Sequence, residues 1–348
     1  MNHTSAEKTV FTIKADIFIP TSNRVDSLKQ CLDSLQKQTS TDFRILLVGL
    51  KGDVKVTRLL KKYSNLDIIY FLQKDKGLIG AANEALAVSK NEIFVRIDDD
   101  VILNPDWYKN LILTYQSDRR IGGVTGPTIM SEKGINSRDL TAFLNNFKTN
   151  RNLLLKLVYY VYNNYLYENK MLEVSTFMKS GVFTLGSNHS ECLSIEGNQE
   201  VDNLEACNWS ARRKLLKQIN GFDPIYVKGL GDYHEADAAL RIKKLGYKLI
   251  FNSGVTLRHN VEIGKVAKAR PAPFYRIQNF IIFYFRFFKI ESLDQLCKFT
   301  LNVFLQNCYY LYRFVTTGKI SQLGAITGTV VGLSKVVFAP RKYLIVNS

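Results

Sequence analysis

Hydrophobic positions in the first 130 residues switch repeatedly between two periods. Short apolar runs at Asp16–Pro20, Ile45–Val48, Ile68–Leu72 and Ile93–Ile97 read as buried strands. Between them Leu28, Cys31, Leu32 and Leu35, then Leu59, Leu60 and Tyr63, then Ile79, Ala82 and Leu86 recur at helical spacing. Asn23 to Asp26 offers a capping signal for the first of these helices, and Pro105 marks the first turn of another. Val124–Ile129 returns to extended structure. Strands alternating with helices predict βαβ units and a parallel sheet. Residues 131–200 carry a weaker pattern. Within them Leu153–Tyr167 is apolar on nearly every side and reads as a core helix, with a membrane- or subunit-contacting helix as the alternative. Further on, Arg212–Ile219 reads as a helix, Gly221-Phe222-Asp223-Pro224 as a turn, Glu235–Leu245 as a helix stopped by Gly246, and Lys248–Asn252 as a strand.

Charge adds a second picture to this one. The 348 residues carry a net charge of +16, and residues 265–348 contribute +10 of it, with twelve Lys/Arg against two Asp/Glu. The 14 aromatic residues between Phe274 and Phe314 fall in the same stretch. A basic, aromatic C-terminal region predicts an anionic partner, a membrane surface or nucleic acid. The apolar stretch Ile320–Ser334 reads as too short to span a bilayer, so this region is expected to lie on a membrane rather than cross it. The N-terminal residues contain no apolar signal region, and the five widely spaced cysteines spell neither a disulfide framework nor a zinc motif. Both point to a reducing, cytoplasmic setting.

Three clusters carry candidate chemistry. Asp98, Asp99 and Asp100 follow a buried strand directly, where open α/β sheets bind ligands. Adjacent carboxylates repel one another and need a cation to stay ionised; Mg²⁺ or Mn²⁺ suits oxygen ligands and bridges to phosphates. An acidic, solvated turn is the plainer alternative. Glu235 heads its helix, with Asp237 and Arg241 paired four residues apart. That leaves Glu235 to act as a general base, or simply to cap the helix. His259, one of four histidines, is either a ligand or a hydrogen-bonded structural residue.

Taken in order over residues 14–260, these segments resemble the family 2 glycosyltransferases of the GT-A fold. Phe18 to Arg24, which includes Pro20, Thr21, Asn23 and Arg24, is similar to the opening strand and nucleotide loop. Gly77 with Asn83 resembles the segment before the acidic motif. Asp98-x-Asp100 looks like the D-x-D motif, Cys207 to Arg213 with Gly221-Phe222-Asp223 like the acceptor-side segment, and Glu235-x-Asp237-x-x-x-Arg241 like the acidic base motif. His259 matches a histidine that often closes the metal site.

The resemblance implies an α/β GT-A domain over 1–264, a Rossmann-like, mostly parallel sheet with helices on both faces. Its nucleotide-sugar half is 14–130 and its acceptor half 131–264, followed by a helical, basic region at 265–348. It implies transfer of a sugar from a nucleotide-diphosphate donor to a hydroxyl of a glycan or lipid-linked acceptor, with inversion. Glu235 is then the base with Asp237 beside it. Asp98, Asp100 and His259 hold Mn²⁺ or Mg²⁺. Pro20, Thr21, Asn23, Arg24, Asp53, Gly77, Asn83, Asp98 and Asp99 line the nucleotide. The expected location is the inner face of the cytoplasmic membrane.

Two departures stand against this pattern. Gly49-Leu50-Lys51-Gly52-Asp53 replaces the family's Asp-Asp-Gly-Ser, which leaves Asp53 as a substitute reader of the base, and Ala82 replaces an arginine. They leave open an altered nucleotide preference, or an inactive nucleotide-sugar-binding or scaffold relative. A nucleic-acid-binding protein is the rival of a different class, but no binding motif is recognisable and Asp98–Asp100 would repel phosphates without a metal.

Overall fold

A computed structural model describes residues 13–22, 24–50, 52–75, 77–130, 152–184, 186, 190–229, 231–260 and 273–344. The predicted alternation is present. Strands β1 (Ala15–Thr21), β2 (Phe43–Gly49), β3 (Asp67–Leu72) and β4 (Ile93–Ile97) are separated by helices α1 (Val25–Gln36), α2 (Val54–Leu60) and α3 (Gly77–Val88). The chain continues through β5 (Val101–Leu103), α4 (Trp107–Ser117), β6 (Ile121–Thr125), β7 (Thr128–Met130), α5 (Leu153–Tyr160) and a π-helical turn, Val161–Leu166. Then come β8 (Asn198–Glu200), β9 (Asn208–Arg212), α6 (Arg213–Gln218), α7 (His234–Lys244), β10 (Lys248–Asn252) and β11 (Leu257–His259).

Eight strands form one sheet in the order β3-β2-β1-β4-β9-β6-β10-β8. The pairs β3·β2, β2·β1, β1·β4 and β6·β10 are parallel, whereas β9 runs antiparallel to both of its neighbours and β8 antiparallel to β10. A small sheet, β5-β11-β7, sits beside it.

Alternate residues of the central strands enter two separate cores, which puts helices on both faces. Ile17, Ile19, Ile45, Leu47, Val95 and Ile97 pack with α1, α2 and α4; Phe18, Leu46, Val48 and Phe94 pack with α3, α6 and α7. Asp16, at the start of β1, is buried and holds the β4 approach. It accepts hydrogen bonds from Arg44 Nε and Nη2, the Ser89 hydroxyl and the Lys90 and Asn91 amides.

The C-terminal region is helical: α8 (Pro273–Phe287), α9 (Leu293–Thr317), a 3₁₀ turn at Ile320–Leu323, α10 (Gly324–Phe338) and α11 (Pro340–Tyr343). Ile277, Phe280, Ile281, Ile282 and Phe283 of α8 belong to the same core as Trp209 and Ala239, so much of the aromatic density is internal packing.

Two expectations change. Helix α5 is not a core helix: Leu153, Leu154, Leu157 and Tyr160 are exposed, and the turn after it packs on Leu301 and Leu305 of α9. The stretch judged too short to span is 19 residues, Ile320–Phe338, because the 3₁₀ turn runs into α10 and the helix continues past Lys335; it is long and apolar enough to cross a membrane by length and composition.

Candidate active site

The acidic cluster lies between the carboxyl end of β4 and the start of β5, at one end of the parallel strands. Pairing of β11 with β5 sets His259 opposite Val101 and so brings its ring to the cluster. His259 Nε2 lies 3.1 Å from Asp100 Oδ1 and 4.0 Å from Asp98 Oδ2. One ligand atom from each of Asp98, Asp100 and His259 falls within 4.8 Å of the others. Two carboxylates and an imidazole at that spacing are a donor set that fits a divalent cation.

Arg24 and Thr21, at the end of β1 and the entry to α1, close the cluster from the other side. Arg24 Nη1 donates to Asp100 at 2.6 Å, Nη2 pairs with Asp99, and Thr21 Oγ1 donates to Asp99 at 2.7 Å. The environments of the carboxylates therefore diverge. Burial lifts Asp99 to about 6 even with Arg24 beside it. Asp100 is held below its ordinary value, because His259 and Arg24 outweigh the upward pull of burial. His259 is raised: burial pulls it down, but Cys207, Asp100 and Asp98 outweigh that and favour the imidazolium.

Glu235, one residue into α7, is a second focus. It pairs with Arg96 Nη1 of β4 and lies 2.8 Å from His234 Nδ1. The neighbouring His234 and Arg96 outweigh burial and hold its pKa down at about 2. Arg96 is buried and its Nη2 lies 3.8 Å from Asp98, so one guanidinium bridges the base candidate and the acidic cluster. Tyr233, just before α7, adopts φ +75° although it is not glycine, and its ring packs on Phe280 and Phe283 of α8. The loop that presents Glu235 is thereby braced against the C-terminal region.

Other predicted site residues have different surroundings. Asp237 is fully buried, with Arg241 Nε at 2.6 Å and Arg286 Nε at 3.3 Å, and faces the packing behind α7. Its place is that of a positioning residue: Arg241 carries the link onward to the carbonyls of Ile219 and Gly221. Asn83 uses both ends of its amide on the backbone of Phe222, at 2.8 and 2.9 Å, which pins the turn before α7. Gly77 opens α3 at φ +79° against Val227, and Pro20 lies in β1 opposite Val48. Asn23 lies outside the described residues.

Asp53 caps α2 by accepting from the Lys55 amide at 2.8 Å. A Cβ on Gly49 would come within 2.8 Å of the Tyr70 hydroxyl, so the room that an aspartate would need at 49 is filled from β3. The sequence reading missed Arg96 and Tyr70, and it gave His234, which heads the Glu235 motif, no role. Arg96 had a visible signal, a lone charge inside the apolar run Ile93–Ile97.

Residues 16–175 match the family model described as Glycosyl transferase family 2. The chain carries a family 2 glycosyltransferase domain. Among curated proteins, the poly(ribitol-phosphate) beta-glucosyltransferase of Bacillus spizizenii is 31% identical over 136 residues, which cover 36% of this chain and 20% of that protein. Glycosyltransferase GlyA of Streptococcus pneumoniae is 28% identical over 114 residues, 31% of this chain and 16% of that protein. The matches thus span a fifth or less of these two relatives.

Solved structures show the same GT-A fold across nearly the whole chain. Residues 1–349 of S. aureus TarS, in complex with UDP-GlcNAc, superpose with TM-score 0.58 at 14% identity, covering 93% of this chain and 82% of that one. A mannosyltransferase from Pyrobaculum calidifontis, in complex with GDP-Man and Mn²⁺, superposes with TM-score 0.51 at 15% identity, covering 96% and 78%.

Proposed function

We propose that this glycosyltransferase domain moves a sugar from a nucleotide-diphosphate donor to a hydroxyl of a glycan or lipid-linked acceptor, with inversion, at the inner face of the cytoplasmic membrane. The observation that carries the reading is Arg96, which contacts Asp98 of the candidate cation site and Glu235 of the candidate base from one buried guanidinium. Donor-side and acceptor-side chemistry are then neighbours, as a single displacement needs.

Asp98, Asp100 and His259 would hold Mn²⁺ or Mg²⁺, which supplies Lewis-acid neutralisation of the charge that builds on the departing diphosphate. Thr21 and Arg24 orient the Asp99–Asp100 pair and line the nucleotide. The acceptor oxygen bonds to the anomeric carbon from the face opposite the diphosphate, whose carbon–oxygen bond breaks and whose oxygen takes the electron pair. Glu235 accepts the proton from the acceptor oxygen. Asp237 acts at a distance, holding α7 in place through Arg241.

Glu235→Gln is expected to keep donor binding and to lower transfer by about 10²–10⁴-fold, the usual contribution of a positioned base. Turnover near wild type in that variant would remove Glu235 from the role.

A second reading draws on the grip of Arg96 and His234 on Glu235 and on Tyr70 over Gly49: a relative that binds nucleotide sugars without turning them over. Titration calorimetry with UDP, GDP and dTDP, each with Mn²⁺ and with EDTA, followed by donor hydrolysis assays, separates the two. Metal-dependent binding without hydrolysis or transfer supports the second reading.

A further inference from the structure

Helix α10 has two faces of different character. Ala325, Gly328, Gly332 and Val336 form the inner one, packed on α8 so closely that a Cβ on Gly328 would fall 2.3 Å from the Phe274 carbonyl. The other face repeats Ile326, Val330, Leu333 and Val337 at the same helical spacing, and it is exposed: Val330 by 60% and Val337 by 64%. The end of α9 and the turn that leads into α10 add exposed apolar residues, Val315 by 74% and Ile320 by 75%. Isolated apolar residues on a surface are ordinary; a contiguous stripe marks an interaction site.

The charges around the stripe say what covers it. After Asp294 the remaining 54 residues contain six Lys/Arg and no Asp or Glu. Lys319, Arg341 and Lys342 are exposed at the two ends of the stripe. A second copy of the chain would set this carboxylate-free cationic surface against itself. An anionic bilayer complements both its charge and its apolar stripe.

We propose that α10 docks in the interface of an anionic lipid bilayer through Ile326, Val330, Leu333 and Val337, with Lys319, Arg341 and Lys342 on the headgroups. The helix lies on the membrane instead of crossing it, because its glycine face is built into the protein core through α8.

The docking also reaches the active site. Phe274, beneath Gly324 and Gly328, precedes Tyr275, which packs on Gly229, and Arg276, which pairs with Asp232 at 3.5 Å. Asn279 donates to the Asp232 carbonyl at 3.3 Å. The loop that carries Glu235 is therefore one helix away from the lipid-facing stripe. This orientation suits an acceptor anchored in that bilayer. The docking itself stands on α10 and its charges and does not depend on the transfer reading.

Flotation of the full chain with phosphatidylcholine vesicles, with and without 30% phosphatidylglycerol, is the test. Wild type is expected to float with the anionic vesicles and to be released by 1 M salt, where the Debye length falls to about 3 Å. Val330→Glu with Val337→Glu should abolish flotation. Lys319→Gln, Arg341→Gln and Lys342→Gln together should lower partitioning about a hundredfold, at roughly fivefold per charge. Both variants should keep the circular dichroism and nucleotide binding of wild type.

Flotation of Val330→Glu/Val337→Glu equal to wild type, or none by wild type, overturns the proposal. A dimer broken by the same pair of substitutions, with no lipid binding, replaces the bilayer with a second copy. Resistance to both salt and alkaline carbonate would mean that the helix spans. Loss of flotation with transfer intact in solution, or the reverse, tells failure of the docking apart from failure of the transfer reading.

Discussion

Asp16→Asn tests whether the start of β1 and the approach to β4, in the middle of the sheet, rest on one buried carboxylate. In the native protein Oδ1 accepts from Arg44 Nε at 2.9 Å and Asn91 Nδ2 at 2.8 Å. Oδ2 accepts from Arg44 Nη2 at 2.9 Å, Ser89 Oγ at 2.7 Å, Lys90 N at 2.6 Å and Asn91 N at 2.9 Å. An asparagine must turn its NH₂ toward one of these sets. The less costly choice still faces two donors and leaves Arg44 without its counter-charge. Removing one partner of a buried ion pair costs about 3–5 kcal/mol. In a protein of this size that corresponds to a fall in Tm of roughly 4–7 °C.

The same carboxylate predicts the acid limb of stability. Burial alone would raise its pKa, but Arg44, the Asn91 and Lys90 amides and Ser89 outweigh it and hold Asp16 below its ordinary value. A depressed folded pKa means that the unfolded chain binds the extra proton first. The stabilisation is therefore complete above the ordinary aspartate value and is lost as pH falls through the folded one. Urea melts from pH 7 to pH 3 should show the wild type losing stability in acid and converging on the variant. A variant within about 1 kcal/mol of wild type at pH 7, or a gap that does not narrow in acid, would refute the reasoning.

Other substitutions probe the site and its supports. Asp100→Ala should abolish metal-dependent nucleotide binding in calorimetry, and EDTA should do the same to wild type. Asp237→Asn takes the counter-charge from buried Arg241, whereas Arg286 keeps Asp223 at 2.8 Å, so it should lower stability by about 3 kcal/mol in urea, with kcat recovering at low temperature where the fold persists. Gly221→Ala should cost at least ~1–2 kcal/mol of stability for its left-handed backbone; its new Cβ also meets Asn83 Oδ1 at 2.6 Å, so the thermal melt should fall by more than for Gly246→Ala, which has open space around it.

The sheet was legible because its central strands are buried on both faces and read as apolar runs that helical stripes separate. The acidic cluster was legible because three carboxylates after such a run are costly without a cation. Contacts between distant elements were not. Nothing local in Asn83 shows that its amide clamps Phe222, 139 residues away. Nothing local in Glu235 shows Arg96 beneath it. Helix α5 was misread because an all-round apolar helix suits burial and lipid or partner contact equally well; only its neighbours decide. The length of the apolar helix at Ile320–Phe338 was missed for a smaller reason: Lys335 looked like an end, whereas it sits in the last turn with its amine 5.2 Å over the Tyr343 ring and the helix runs on to Phe338.

Tyr233 has a consequence for how this loop can vary. A tyrosine at φ +75° carries a backbone cost of about 1–2 kcal/mol that glycine would not. Its ring offsets that cost only by lying on Phe280 and Phe283. Relaxing the backbone and keeping the ring are therefore mutually exclusive, and any residue better suited to the dihedral unhooks the loop from α8. Drift at this position should trade with drift at Phe280 and Phe283, so that the three change together or not at all. The start of the base-bearing helix is in that sense specified by residues some fifty positions downstream of it.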